Sequence, residues 1–177
     1  MALKATIFKA NLQVNDLDRH YYTLHALTMA QHPSETDERL MVRLLAFALH
    51  ADEALEFGKG LSSDEPTLWQ KDATGLIDLI IEIGLPDEQL LRRYCGRAKQ
   101  VVVYAYGGRT VPLWWSKNAS ALTRLHNLQV IELAPETIDP LTALATRTMT
   151  LQCLVSDGDV QIIADDSVVP VLRTALK

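Results

Sequence analysis

The chain has 177 residues, 48% of them hydrophobic and 22% charged, which is a soluble globular composition with enough length to bury a core without metal or disulfide support. Seventeen Lys and Arg against 22 Asp and Glu leave a net charge of −5, which excludes a basic domain held to nucleic acid by bulk charge but not a local basic strip. Cys95 and Cys153 lie far apart and away from ligand-spaced His or Cys, so they read as small apolar side chains in a reduced protein.

The first residues lack a basic segment followed by an apolar one, so no secretory signal is expected. The runs Leu44–Leu49 and Val101–Tyr106 are far short of the ~20 residues that span a bilayer. A cytoplasmic protein with no membrane partner is the expectation. No P-loop, dinucleotide fingerprint or GxSxG elbow is present.

Lys4–Asn15 alternates polar and apolar and predicts a half-buried strand. Tyr21–Met29 reads best as its hairpin partner, with a short helix as the other choice. Ser34 is the expected N-cap of an amphipathic helix of about five turns that carries Leu40, Met41, Leu44, Phe47 and Leu55 and stops before Gly58 and Gly60. Ser62–Pro66 is a loop. Thr67–Lys71 and Leu76–Ile83 form a hairpin around Asp72-Ala73-Thr74-Gly75. The second arm is nearly all apolar, as in a strand buried on both faces.

Asp87 is placed to cap a helix over Glu88–Ala98, followed by a buried strand over Gln100–Tyr106. Strand, helix and strand make a βαβ unit, so the two strands should be parallel. Pro112–Leu125 predicts a helix and Gln129–Leu133 a third short strand. Thr148–Val155 and Asp159–Ile163 flank Asp157-Gly158 as an antiparallel hairpin. A single domain, 1–177, follows. Its α/β core lies at about 34–133. Hairpins at about 4–31 and 148–163 are free to pair into a small antiparallel second sheet.

Two acids interrupt the most apolar strand, Asp78 and Glu82. An ionised carboxylate there needs a partner or a cation. Four residues of strand separate them by about 13 Å, too far to hold one ion alone. If Lys71 pairs with Leu76, Glu65 lies opposite Glu82 and Trp69 opposite Asp78. Glu53, at the end of the preceding helix, is a further candidate. Oxygen ligands gathered at a strand end suit Mg²⁺ or Mn²⁺ and phosphodiester hydrolysis. The plain alternative is that Glu82 sits in water or pairs with Arg92, Arg93 or Lys99.

The segments Ala5-Thr6-Ile7, His32-Pro33-Ser34-Glu35-Thr36, Asp64-Glu65-Pro66 with Trp69, Ile77-Asp78-Leu79, Ile81–Pro86 and Arg147–Leu151 resemble the YaeQ family of small proteobacterial proteins, in order and along nearly the whole chain. The resemblance implies a restriction-endonuclease-like, PD-(D/E)XK fold: an αβββαβ core with a mixed sheet flanked by helices, plus the extra small sheet. That fold's usual site is an acid on one strand and Glu-x-Lys on the next. Here Glu82-Ile83 is followed by Gly84, so the lysine is missing. Arg93, Arg97 or Lys99 is the nearest replacement, and only lysine can also accept a proton. The first acid is open among Glu65, Asp72 and Asp78.

Arg92, Arg93 and Arg97 gather on one helix, and Trp114 offers a face on which a base could stack. Two functions follow from these residues. One is a metal-dependent nuclease or phosphodiesterase with Glu82, Asp78, Glu65 and Lys99 as catalytic groups and Glu82, Asp78, Glu65 and Glu53 as metal ligands. The other is an inactive relative that binds nucleic acid, through Arg92, Arg93, Arg97 and Trp114, or a protein partner.

Overall fold

The structure is a computed structural model and describes residues 4–60 and 64–177. Ser62 and Ser63 of the expected loop lie outside the described residues. The elements in chain order begin with β1 (Thr6–Asp16), β2 (Tyr21–Gln31), α1 (Asp37–Leu49), β3 (Leu55–Phe57), β4 (Leu68–Lys71) and β5 (Ile77–Ile83). They continue with α2 (Glu88–Cys95), β6 (Ala98–Ala105), α3 (Thr110–Leu122), β7 (Leu128–Leu133) and α4 (Pro135–Thr142). The chain ends with β8 (Thr148–Ser156), β9 (Asp159–Ala164), β10 (Ser167–Pro170) and β11 (Arg173–Ala175). Among the described residues no helix is long and apolar enough to cross a membrane.

The chain divides into two compact units. The first comprises the residues up to Ala51 together with Glu136–Leu172. Its sheet runs β10-β9-β8-β1-β2. Both terminal hairpins lie in it, but β1 and β8 pair in parallel, so the sheet is mixed and not the antiparallel one expected. Hairpin signals fix direction only between strands joined by a turn. The long connection from β2 to β8 leaves either direction open. The pairing sets both hairpin turns at one end, where the Asp18 carboxylate accepts from the amides of Asp157 and Gly158, each at 2.8 Å.

Helix α1 is shorter than predicted. Thr36 caps it by accepting from the Arg39 amide, while Ser34 is held in a local turn by His32. The chain leaves the helix at His50. Asp52 then starts a turn by accepting from the Ala54 amide, so Leu55 enters β3 and not a fifth helical turn. Residues Leu40 to Ala48 are all buried, including Arg43. Its guanidinium binds Glu35 at 2.7 Å and 2.9 Å and donates to the Ala30 carbonyl.

The second unit comprises Asp52–Pro135 and Arg173–Lys177. Its mixed sheet runs β11-β7-β6-β5-β4-β3, with β5, β6 and β7 parallel, as the βαβ reading requires. Helices α2 and α3 supply Leu91, Tyr94, Val111 and Leu122 to a core with Ile80, Val101, Val103 and Val130. The net charge is not shared evenly. This unit has eleven basic and eleven acidic side chains, and the first has six and eleven, so the whole excess of acid lies in the first.

Candidate functional site

The β4–β5 hairpin decides where the acids go. Asp72 closes its loop by accepting from the amides of Thr74 and Leu76 and from the Thr74 hydroxyl. These bonds, the hydroxyl foremost, hold the Asp72 carboxyl below its ordinary range. Lys71 then pairs with Ile77, but Gln70 pairs with Leu79. Asp78 is the extra residue of a β-bulge, two residues facing one. The bulge explains how Ile77 and Ile80, three apart, pack on the same core.

The predicted register is thereby corrected. Beyond the bulge Leu68 faces Ile81, so the position opposite Glu82 belongs to Thr67, not Glu65, and Trp69 faces Ile80, not Asp78. A bulge cannot be read from the alternation of a strand that is apolar on both faces.

Glu82 is 8% exposed. The Thr67 hydroxyl donates to one of its oxygens, which also accepts from the Ile83 amide at 3.1 Å. The Thr67 amide approaches the other oxygen at 3.4 Å. Tyr94 of α2 stands close by. Burial first, and then the Glu82 charge, push its hydroxyl up to about 12. Asp64 pushes the same way, while Arg93 and Arg97 oppose it. So Glu82 and Asp64 act on Tyr94 from one side of the charge balance and two exposed guanidinium groups from the other.

The remaining candidates are placed elsewhere. Asp78 binds Lys99 at 2.5 Å, and that bond raises the Lys99 ammonium above its ordinary value. The pair borders a polar groove of about 570 Å³ with Gln100, His126, Asn127 and Gln129. Glu65 accepts from the Lys59 amide at 2.9 Å and pairs with its ammonium at 3.4 Å. Glu53 is exposed in the turn before β3. Arg92 is held by Glu88 one helical turn back, at 2.5 Å. Trp114 packs against the core and donates its indole N–H to the Pro86 carbonyl at 3.0 Å. Burial raises the Cys95 thiol, as befits an inert cysteine.

Glu82 accepts from Thr67 and Ile83, and Asp78 pairs with the Lys99 ammonium. Among the described residues no three His, Cys, Asp or Glu side chains come together as a metal site. The lysine position two after Glu82 is also closed in conformation. Gly84 has φ 87°, a left-handed backbone in which any side chain is strained.

Sequence reasoning missed Thr67 and Tyr94. Thr67 carried no signal without the bulge. Tyr94 did, because it lies three residues after the buried Leu91 on the same helix face.

Comparison with known proteins fits this framework. The family model described as YaeQ protein matches residues 1–172. The YaeQ protein of Escherichia coli K12 is 44% identical over 176 residues, which are 99% of this chain and 97% of the relative. A crystal structure of the YaeQ protein from Xanthomonas axonopodis pv. citri superposes with a TM-score of 0.93 at 51% identity, covering 98% of each chain. The YaeQ protein from Pseudomonas syringae gives 0.91 at 34% identity, covering 98% of this chain and 96% of that one. With nearly full-length likeness in both sequence and structure, this chain belongs to the YaeQ family.

Proposed function

We propose that the chain is a nuclease-like framework of the PD-(D/E)XK type that works by binding nucleic acid, with its acidic site turned into a structural one. The element order α1, β3, β4, β5, α2, β6 supports the αβββαβ reading. The observation that carries the loss of hydrolysis is the bulge. It sets Thr67, not Glu65, opposite Glu82, while Glu65 is held by Lys59 and Asp78 by Lys99, so the acids expected around Glu82 have other partners.

Binding falls to the exposed arginines of α2 and the residues just after it. Arg93 and Arg97 are both exposed, and both act on the Tyr94 hydroxyl. They belong to the electrically neutral unit, so the chain's overall acidity does not bear on them directly. Guanidinium groups suit phosphate oxygens, and such binding weakens steeply with salt.

The second reading is a metal-dependent phosphodiesterase. What favours it is the joint action of Glu82 and Asp64 on Tyr94, since two acids then lie within electrostatic reach of one group. Anisotropy titrations with labelled single-stranded DNA, duplex DNA and RNA at low salt, paired with a Mn²⁺-dependent cleavage assay, separate the two. Salt-sensitive binding that disappears in Arg93→Glu/Arg97→Glu, without cleavage above a Glu82→Ala control, is expected. Failure to bind any nucleic acid overturns the binding reading. Cleavage that Glu82→Ala abolishes establishes the phosphodiesterase.

A further inference from the structure

Strand β2 forms the edge of its sheet, and its backbone shows which groups that edge presents. The Lys9 amide donates to the Arg147 carbonyl and the Leu17 amide to the Val155 carbonyl, each at 2.9 Å. Odd residues of β1 therefore bond toward β8, and its even residues bond toward β2. In the antiparallel register Ala10 faces Leu27 and Leu12 faces His25, so the odd residues of β2 bond back to β1. The even residues, Tyr22, Leu24, Ala26, Thr28 and Ala30, direct N–H and C=O to the open side. Arg43 reaches the Ala30 carbonyl from that side at 3.1 Å. Among the described residues nothing bonds the outward backbone of Tyr22, Leu24, Ala26 or Thr28.

Natural edge strands guard such groups with charge, proline, a bulge or short length. None of these guards is present. The sequence Tyr21–Gln31 has no Asp, Glu, Lys, Arg or Pro, and its pairing with β1 runs unbroken through eleven residues. Tyr22 is 57% exposed and Leu24 62% exposed beside the open backbone.

We propose that β2 is the seam of a symmetric dimer, in which two copies join antiparallel along this edge and fuse their five-stranded sheets into one. The occupant is a second copy because the strand is complementary to itself. Centred on His25, the two-fold sets Tyr22 opposite Thr28 and Leu24 opposite Ala26, so all four open residues exchange their bonds. A two-fold centred on Ala26 sets Tyr22 opposite Ala30, whose carbonyl Arg43 already holds. Neutrality means that no like charges meet across the seam. Tyr22 and Leu24 gain cover from Thr28 and Ala26 of the second copy.

Sedimentation equilibrium on the full chain tests this. The wild type is expected to be a reversible dimer. Leu24→Lys/Ala26→Lys sets two like-charged pairs across the seam and weakens association by about tenfold or more. Leu24→Lys/Ala26→Glu turns the same pairs into attractive ones and restores the dimer, which it does only in the register centred on His25. Both positions are exposed, and circular dichroism checks that each variant is folded. Hydrogen exchange on the wild type stands independent of the variants: the Leu24 and Ala26 amides slow as protein concentration rises. A wild type that stays monomeric at its highest soluble concentration overturns the proposal. So does a dimer that survives the double lysine variant, or exchange at these amides that ignores concentration. A double lysine and a lysine–glutamate variant that are equally impaired overturn the register.

Discussion

The hydroxyl of Thr67, in the bend just before β4, donates to the carboxylate of Glu82, and both residues are only 8% exposed. Removing the donor leaves a buried carboxylate short of one partner. Thr67→Val keeps the shape and loses the bond, so it should destabilise the fold by about 1–3 kcal/mol in denaturant titrations, with Thr67→Ser closer to wild type. In a double-mutant cycle with Glu82→Gln the two effects should not add.

Tyr94 reports on the same acid. Its hydroxyl is pushed from 10.0 up to about 12, by burial first and then by the Glu82 charge. The folded state keeps this proton after the unfolded state has lost it. Stability should therefore fall as pH climbs from 10.0 to about 12. In an ultraviolet titration Glu82→Gln should shift the Tyr94 step downward, and the step should remain above that of an exposed tyrosine because burial persists.

Arg43 and Glu35 form the most buried ion pair of the first unit, with side-chain exposures of 6% and 3%. Burial lowers the arginine's affinity for its proton, and the Glu35 charge opposes the shift. Arg43→Met leaves the buried carboxylate to Arg39 at the longer distance of 3.7 Å and should cost about 3–5 kcal/mol. Arg43→Met/Glu35→Gln should recover part of that loss, because the poorly compensated charge is gone. Thermal unfolding of the two variants makes the comparison.

The Asp78–Lys99 pair joins a half-buried carboxylate to an exposed ammonium, and its signature is a pH dependence. The bond to Asp78 raises the folded-state value of Lys99 above 10.5. Its contribution is therefore present below 10.5 and is lost as pH rises through the folded value. The stability gap between wild type and Asp78→Asn should stay constant from neutrality upward and close only in that alkaline range.

Local signals located most elements. The alternation of β1, the Asp157-Gly158 turn and the Asp87 cap each name a structure through nearest neighbours. What stayed hidden needs partners far along the chain. The direction of the β1–β8 pairing is one case. The bulge at Asp78 is another, because an apolar strand gives the same pattern with or without it. Helix α4 begins at Pro135 and contains Pro140, so it reads as a break. β3 and β11 have three residues each, too few for a period. The acids at Asp78 and Glu82 were visible as chemistry, but the sequence did not contain the one-residue shift that gives them different partners.

The pairing of β1 with β8 has a consequence for synthesis. Residues 6–31 leave the ribosome as a hairpin open on both sides, and β1 waits for residues 148–156 before its second side closes. Throughout that interval the hairpin can join another nascent copy. The last residues act similarly on the other sheet, where Arg173–Ala175 cover the flank of β7. The chain passes between units after Ala51, Pro135 and Leu172, so no single cut in the gene yields either unit whole. A shortened version should accumulate as aggregate.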